Sequence, residues 1–198
     1  MKQSLLQKLE MSVDTFYNKD FYSPTAIKEL SSFIEDNYSH EEQNQNQAEQ
    51  NGKSKKKTRT LIIHRGRIRH LIERLETYIT YINQKYFGYD LYPFSNHDNC
   101  LLNIYEPKGE YGYHVDGSRS DKWDMKLTVL VNLSTQPYTG GDLMIFNGNE
   151  YKVEELSIPG SVVMIKSYLN HKVTPVLSGQ RKTLTIFGCG PSFKWIYS

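Results

Sequence analysis

The chain has 198 residues and a mass of 23.1 kDa, enough for one domain with a hydrophobic core of its own. With 38% hydrophobic residues, a mean hydropathy of -0.61 and a formal charge of +2, it reads as a soluble, polar-surfaced protein, and charge alone makes no case for nucleic acid. Two cysteines exclude a disulfide framework or a zinc-finger spacing, and no apolar run is long enough to span a bilayer, so a reducing, cytoplasmic setting without a membrane partner is expected.

The amino-terminal MKQSLLQKLEMSVD reads as lacking the apolar stretch of a secretory leader. Ser23-Pro24-Thr25 then predicts a helix start, with a capping serine followed by proline at the first helical position. Ile27, Leu30, Phe33 and Ile34 follow at helical spacing. Beyond Tyr38 the composition changes to SHEEQNQNQAEQNGKSKKK, and the tract 38–57 is expected to be a disordered polar loop. Lys53 and Lys55 to Lys57 are read as charges of a solvated linker, with contact to an acidic partner as the sharper alternative. A second helix is predicted from Ile68 to Tyr86, with Ile68, Leu71, Ile72, Leu75, Tyr78, Ile79 and Ile82 on one face and Gly88 as its stop.

From Cys100 the period changes. Leu101 to Tyr105, Leu127 to Leu133, Asp142 to Phe146, Ser161 to Lys166 and Thr183 to Phe187 are short β-branched or aromatic runs, separated by Gly- and Pro-containing turn signals. The 15 tyrosines suit a β-rich aromatic core or a substrate-stacking surface. The expected architecture is mainly β with N-terminal helices (α+β), as a sandwich or jelly roll. Within a single domain over 1–198, residues 1–90 form a helical support and 91–198 the β core.

Six histidines are present, and His114-Val115-Asp116 with the distant His171 is the informative set. Two imidazoles and a carboxylate on one face are the ligand set of a non-haem iron(II) oxygenase, leaving open positions for a bidentate 2-oxo acid and dioxygen. In an extended segment His114 and Asp116 point the same way. His171 follows the apolar run Val162 to Ile165, which places it at that strand's end. The Ser178-Gly179-Gln180 turn is read as folding the strand back, bringing Arg181 into the same β-layer. There its guanidinium can pair bidentately with a cosubstrate carboxylate, and Thr183 on the same strand face can add a hydroxyl. His40, His64 and His70 read as surface groups, and the adjacent side chains of His97 and Asp98 diverge. Without further context, the set is equally well an ordinary group of polar residues.

Residues from about 100 to 195 resemble the iron(II)- and 2-oxoglutarate-dependent dioxygenases, specifically the prolyl 4-hydroxylase-like and PKHD-type hydroxylases. The resemblance rests on LLNIYEPKGEYGYHVDGS, KLTVLVNLSTQPYTGGDLMIF and PGSVVMIKSYLNHKVTPVLSGQRKTLTIFG. It implies a double-stranded β-helix with Fe(2+) held by His114, Asp116 and His171, and Arg181 as the 2-oxoglutarate anchor. Tyr105 and Asn103 match cosubstrate-contacting positions, while Tyr113, Arg119 and Trp123 would flank the mouth. The implied reaction couples oxidative decarboxylation of 2-oxoglutarate by O2, giving succinate and CO2, to hydroxylation of an unactivated C–H bond. Ascorbate is the expected reductant and a prolyl residue of a protein or peptide the expected substrate.

The alternative is an AlkB-like nucleic-acid oxidative demethylase, for which KSKKK, Arg65, Arg67 and Arg69 offer phosphate contacts. That family uses a second arginine near the distal site, and none follows Arg181 here. A third reading is a silent scaffold that keeps the fold, which the intact triad and arginine argue against.

Overall fold

The computed structural model describes residues 14–38, 49–50, 53–54, 56–117 and 123–193. Strand β1 (Thr15–Asn18) precedes helix α1 (Pro24–Tyr38), whose first turn is capped by the Ser23 hydroxyl accepting the Ala26 amide at 3.3 Å. Two short paired strands, β2 (Glu49–Gln50) and β3 (Lys53–Ser54), lead to β4 (Lys56–Lys57) and β5 (Arg59–His64). Helix α2 (Arg65–Ile82) runs into a π-helical turn (Asn83–Phe87) that ends on left-handed Gly88, close to the stop expected from the sequence.

The remaining strands are β6 (Asn99–Tyr105), β7 (Glu110–His114), β8 (Trp123–Asn132), β9 (Thr139–Gly140) and β10 (Leu143–Asn147). They continue as β11 (Asn149–Lys152), β12 (Val162–Lys166), β13 (Asn170–Val173), β14 (Val176–Ser178) and β15 (Arg181–Pro191). A six-stranded major sheet has the order β1-β12-β8-β15-β6-β5, and a five-stranded minor sheet β11-β10-β13-β7-β4, all of it antiparallel. Among the described residues the chain is thus mainly β with two α-helices on an antiparallel jelly roll, as expected.

Two expectations are corrected. The first ninety residues are not helical support alone: β1 and β5 form both edges of the major sheet, and β4 one edge of the minor sheet. The tract 38–57 is not a structureless loop throughout, since β2, β3 and β4 lie within it, although most of 39–55 lies outside the described residues.

Strand alternation distributes the major sheet between two jobs. Cys100, Leu102 and Ile104 of β6, Leu184 and Ile186 of β15, and Val129 and Val131 of β8 pack with Ile68, Ile72, Leu75 and Ile79 of α2 and with Ile27, Leu30 and Ile34 of α1. The helical residues recur every three or four positions, so each helix presents one apolar stripe. The alternate residues of the same strands, including Leu101, Asn103, Tyr105, Arg181, Thr183, Thr185 and Leu130, face the minor sheet and line a cavity between the layers. A one-residue slip of β15 would drive Arg181 into the helix-packed core, so helix packing pins the register that aims it inward. On the outward parity Lys182 meets Glu35 of α1 at 2.5 Å.

Candidate metal and anion site

The minor sheet supplies two histidines. His114 and His171 are paired opposite one another across β7 and β13, and their rings lie 4.2 Å apart between centroids. A β-bulge follows, because Val173 pairs with Tyr111, so two residues of β7, Gly112 and Tyr113, oppose the single Lys172 of β13. The bulge falls at Gly112 and Tyr113 and lets both Tyr111 and His114 line the cavity, which strict alternation would forbid. Tyr111 stacks on the His114 ring at 3.5 Å and 14°. Tyr113 turns away from the cavity to Glu150, Phe146 and Lys172. His171 thus sits within a short strand of its own, not at the end of β12 as expected.

Both imidazoles are oriented in the same way. His114 Nδ1 lies 2.8 Å from the Gly112 carbonyl and His171 Nδ1 lies 2.9 Å from that of Leu169. A carbonyl only accepts, so each Nδ1 carries its hydrogen and each neutral ring offers its Nε2 lone pair to the cavity. Those Nε2 atoms stand 3.6 Å (His114) and 3.4 Å (His171) from the Asp116 carboxylate. Asp116 lies just past β7, where its amide donates to the Ser167 carbonyl at 2.9 Å. The Thr128 hydroxyl donates to Asp116 Oδ2 at 2.8 Å and meets Ser167 Oγ at 2.9 Å, which fixes the carboxylate's direction.

One ligand atom from each of the three lies within 4.8 Å of the others. Donors bound about 2.1 Å from a common ion at right angles stand about 3 Å apart, so this set can close on a divalent metal with little movement. Burial pushes the Asp116 carboxyl up, but the two histidines and the Thr128 hydroxyl outweigh it and hold the group below the ordinary value. Burial pulls His171 down, and the Asp116 carboxylate more than reverses this, leaving it raised.

The opposite wall belongs to the major sheet. Arg181 opens β15, opposite Tyr105 of β6, and is 3% exposed. Among the described residues no carboxylate pairs with it, and its guanidinium lies 5.1 Å from the Tyr105 ring centroid. A buried guanidinium without a counter-ion is costly, so this end of the cavity is built for an anion. The Thr183 hydroxyl is buried without a hydrogen-bond partner beside it, a second polar group awaiting a ligand. Burial pushes the Tyr105 phenol up to about 12, with Arg181 opposing, so it stays a protonated donor. Asn103 lines the same cavity, but its amide already bonds Thr60 at 2.9 Å and Thr185 at 3.2 Å.

Arg181 and His171 are therefore in opposing sheets, not in one β-layer as the Ser178-Gly179-Gln180 turn had suggested. The chain after His171 leaves the minor sheet as β14, pairs with β9, and crosses at left-handed Gly179 into the major sheet. Gly141 makes the crossing workable. A Cβ there would stand 2.8 Å from Arg181 Cδ and 2.9 Å from Val176, so the missing side chain is the space through which the arginine stem passes.

Neither Trp123, which is 40% exposed, nor Tyr113 lines the cavity, and Arg119 lies outside the described residues. Arg65 is not available to phosphate: it is 1% exposed and bound to Glu76 at 2.6 Å. Thr128, Ser167, Tyr111 and Gly141 were missed, although Thr128 interrupts an apolar run at the inward parity and Gly141 lies in the Tyr-Thr-Gly-Gly-Asp stretch. Lys56, assigned to a solvated linker, is 8% exposed and lines the cavity. Burial lowers its pKa, with the Asp116 charge opposing.

This cavity encloses about 90 Å³, room for about six waters or one small organic anion. A larger cleft of about 820 Å³ lies between α1 and residues 134–138, away from the three candidate ligands. Residues 100–188 match the sequence model of the 2OG-Fe(II) oxygenase superfamily. A PKHD-type hydroxylase of Synechococcus sp. is 44% identical to this chain over 86 residues, which are 42% of this chain and 38% of that relative. Another, from Shewanella baltica, is 33% identical over 104 residues, 50% of this chain and 42% of its own length. The match thus spans less than half of either curated relative.

Among solved structures, a Pseudomonas putida prolyl-4-hydroxylase aligns with a TM-score of 0.69 at 20% identity, over 97% of this chain and 100% of its own. A Trichoplax adhaerens prolyl hydroxylase, solved with a peptide fragment of the hypoxia inducible factor oxygen degradation domain, gives 0.67 at 19% identity over 95% and 93%. At these identities the likeness is one of fold. Among the described residues no helix is long and apolar enough to cross a membrane.

Proposed function

We propose that the protein is an iron(II)- and 2-oxoglutarate-dependent hydroxylase acting on a protein or peptide, with a prolyl residue as the target. The observation that carries this reading is one cavity that joins a two-histidine, one-carboxylate cluster to a buried arginine that has no carboxylate partner among the described residues. In this reading His114, Asp116 and His171 hold Fe(2+), while Arg181 takes the distal carboxylate of 2-oxoglutarate in a bidentate pair. Thr183 and Tyr105 donate hydroxyl hydrogens to the same anion, and Asn103 braces the wall between them. When bound, the iron supplies O2 activation coupled to decarboxylation of the cosubstrate. The chain's own work is to orient three ligands on one face, hold the cosubstrate against them and keep water out.

The prolyl target is supported by the shared fold with prolyl hydroxylases and by the PKHD-type relatives. A nucleic-acid substrate loses one of its proposed phosphate contacts with the burial of Arg65. Cys100 and Cys189 are free thiols, which suits a reducing cytoplasmic location. The test is succinate release with Fe(2+), 2-oxoglutarate and ascorbate, read with proline-containing peptides and with methylated single-stranded DNA. Peptide-stimulated turnover with a +16 Da product is expected. Stimulation by the DNA alone would transfer the assignment to the demethylase class, and no turnover with either would favour a silent scaffold.

A further inference from the structure

Three buried polar side chains cross the major sheet as a hydrogen-bonded row, and the site so described does not use the last of them. The Thr60 hydroxyl of β5 donates to Asn103 Oδ1 at 2.9 Å, and the Asn103 amide donates to Thr185 Oγ1 of β15 at 3.2 Å. The direction of the row is set at its start. Thr60 gives its hydrogen to Asn103 Oδ1, so the Asn103 nitrogen faces β15. The residue opposite Asn103 in register on β15 is Thr183, yet the amide reaches diagonally to Thr185. Thr185 Oγ1 therefore accepts, and its own hydrogen meets no acceptor among the described residues. A hydroxyl buried with an unused donor is unfavourable until something in the cavity accepts it.

Thr185 lines the same cavity as the three candidate metal ligands and Arg181. Its place along β15 says which part of a ligand it meets. Arg181, Thr183, Thr185 and Phe187 all line that cavity, with successive members about 7 Å apart along the strand. Phe187, at the far end, is paired with Thr128, whose hydroxyl holds Asp116 at 2.8 Å. Thr185 thus stands one step from the anion end marked by Arg181 and Thr183, and one step from the row that steadies the carboxylate ligand.

We propose that Thr185 is a further cosubstrate contact, donating its hydroxyl hydrogen to the 2-oxo acid end of 2-oxoglutarate while Arg181 and Thr183 hold the distal carboxylate. This rests on the reading of the cavity as an iron and 2-oxoglutarate site. Asn103 is the positioning residue, because it keeps Thr185 Oγ1 as an acceptor on the β6 side and leaves the hydrogen to the cavity.

The experiment is calorimetric titration of the full chain with Mn(II), then of the Mn(II)-loaded protein with 2-oxoglutarate and, by competition, with pyruvate, which keeps the 2-oxo acid end and lacks the distal carboxylate. Thr185→Val keeps the branched shape and drops the hydroxyl. It should bind both acids about tenfold more weakly, with Mn(II) affinity unchanged. Thr185→Ser should recover most of the loss. Thr183→Val should weaken 2-oxoglutarate and leave pyruvate nearly unchanged. Wild-type affinity for both acids in Thr185→Val would overturn the assignment. So would a loss confined to 2-oxoglutarate, which would move the hydroxyl to the distal end, or an equal loss in Thr185→Ser, which would make the role one of packing. If the wild-type protein binds Mn(II) but neither acid, the functional reading itself falls, and the role of Thr185 with it.

Discussion

The two walls of the cavity are built on different principles. The major-sheet wall, with Tyr105, Arg181 and Thr183, stands on long strands whose outer faces are locked against two helices. Its register is set by packing, and its chemistry rests on a buried guanidinium over the Tyr105 ring and on a buried Thr183 hydroxyl without a hydrogen-bond partner. The minor-sheet wall, with His114 and His171, stands on strands of five and four residues interrupted by a bulge. On that wall direction comes from hydrogen bonds to the Gly112 and Leu169 carbonyls, with Thr128 and Ser167 bracing Asp116. One wall holds its groups by burial and the other by local hydrogen bonds, so substitutions on the two should separate anion binding from metal binding.

His171→Ala gives the largest effect. It removes one of three ligands, so iron binding and turnover should both vanish, while the helix-packed sheet keeps its thermal transition; retained stoichiometric iron would break the assignment of that wall. Next comes Arg181→Ala, which should hold iron but raise the 2-oxoglutarate requirement about a hundredfold, the cost of losing a charged bidentate pair. Saturation curves for succinate formation read this directly.

Smaller changes sharpen the contrast. Thr128→Val keeps shape but drops the hydroxyl that orients Asp116. Metal affinity should fall about tenfold, with 2-oxoglutarate affinity of the loaded protein little altered. Gly141→Ala should do the reverse. Its Cβ meets the Arg181 stem and its positive φ adds strain, so cosubstrate affinity should drop several-fold and stability by about 1–3 kcal/mol, seen in denaturant melts. If Gly141→Ala instead lost metal with the cosubstrate affinity intact, the separation of the walls would be wrong.

The pH dependence is the mildest test. His171 is raised above the ordinary histidine value, so in metal-free protein its protonation contributes stability in full below about pH 6.5, lost as pH rises through the folded value. Metal binding needs the neutral ring and runs the other way. The rise in Tm on adding Mn(II) should therefore grow from about pH 5.5 to about pH 8. A flat gain would show that His171 does not compete with the metal for its proton.

The legible parts of the sequence were those with a period. Alternation in β6, β8, β12 and β15 and helical spacing in α1 and α2 gave the core, and the two-residue step from His114 to Asp116 showed a shared direction. Positions that depend on a neighbour distant in sequence were not legible. Lys56 faces inward only because β4 pairs with β7, and nothing in a run of lysines marks which one turns. Arg65 reads as surface charge until Glu76, on the same helix, and the Phe94 ring close over it. The step from His171 to Arg181 looked like a hairpin. The strand instead changes sheets, a switch set by the pairing of β14 with β9 that no local turn signal reports. The bulge at Gly112 breaks the alternation that would otherwise have concealed Tyr111.

The most direct test is 2-oxoglutarate turnover measured as succinate with Fe(2+) present, comparing the wild-type protein, Arg181→Ala and His171→Ala. The expected result is iron-dependent succinate from the wild type, recovery of the arginine variant at high 2-oxoglutarate, and none from the histidine variant at any concentration. Succinate formed equally by all three, or by none while wild-type iron binding is intact, would contradict the account.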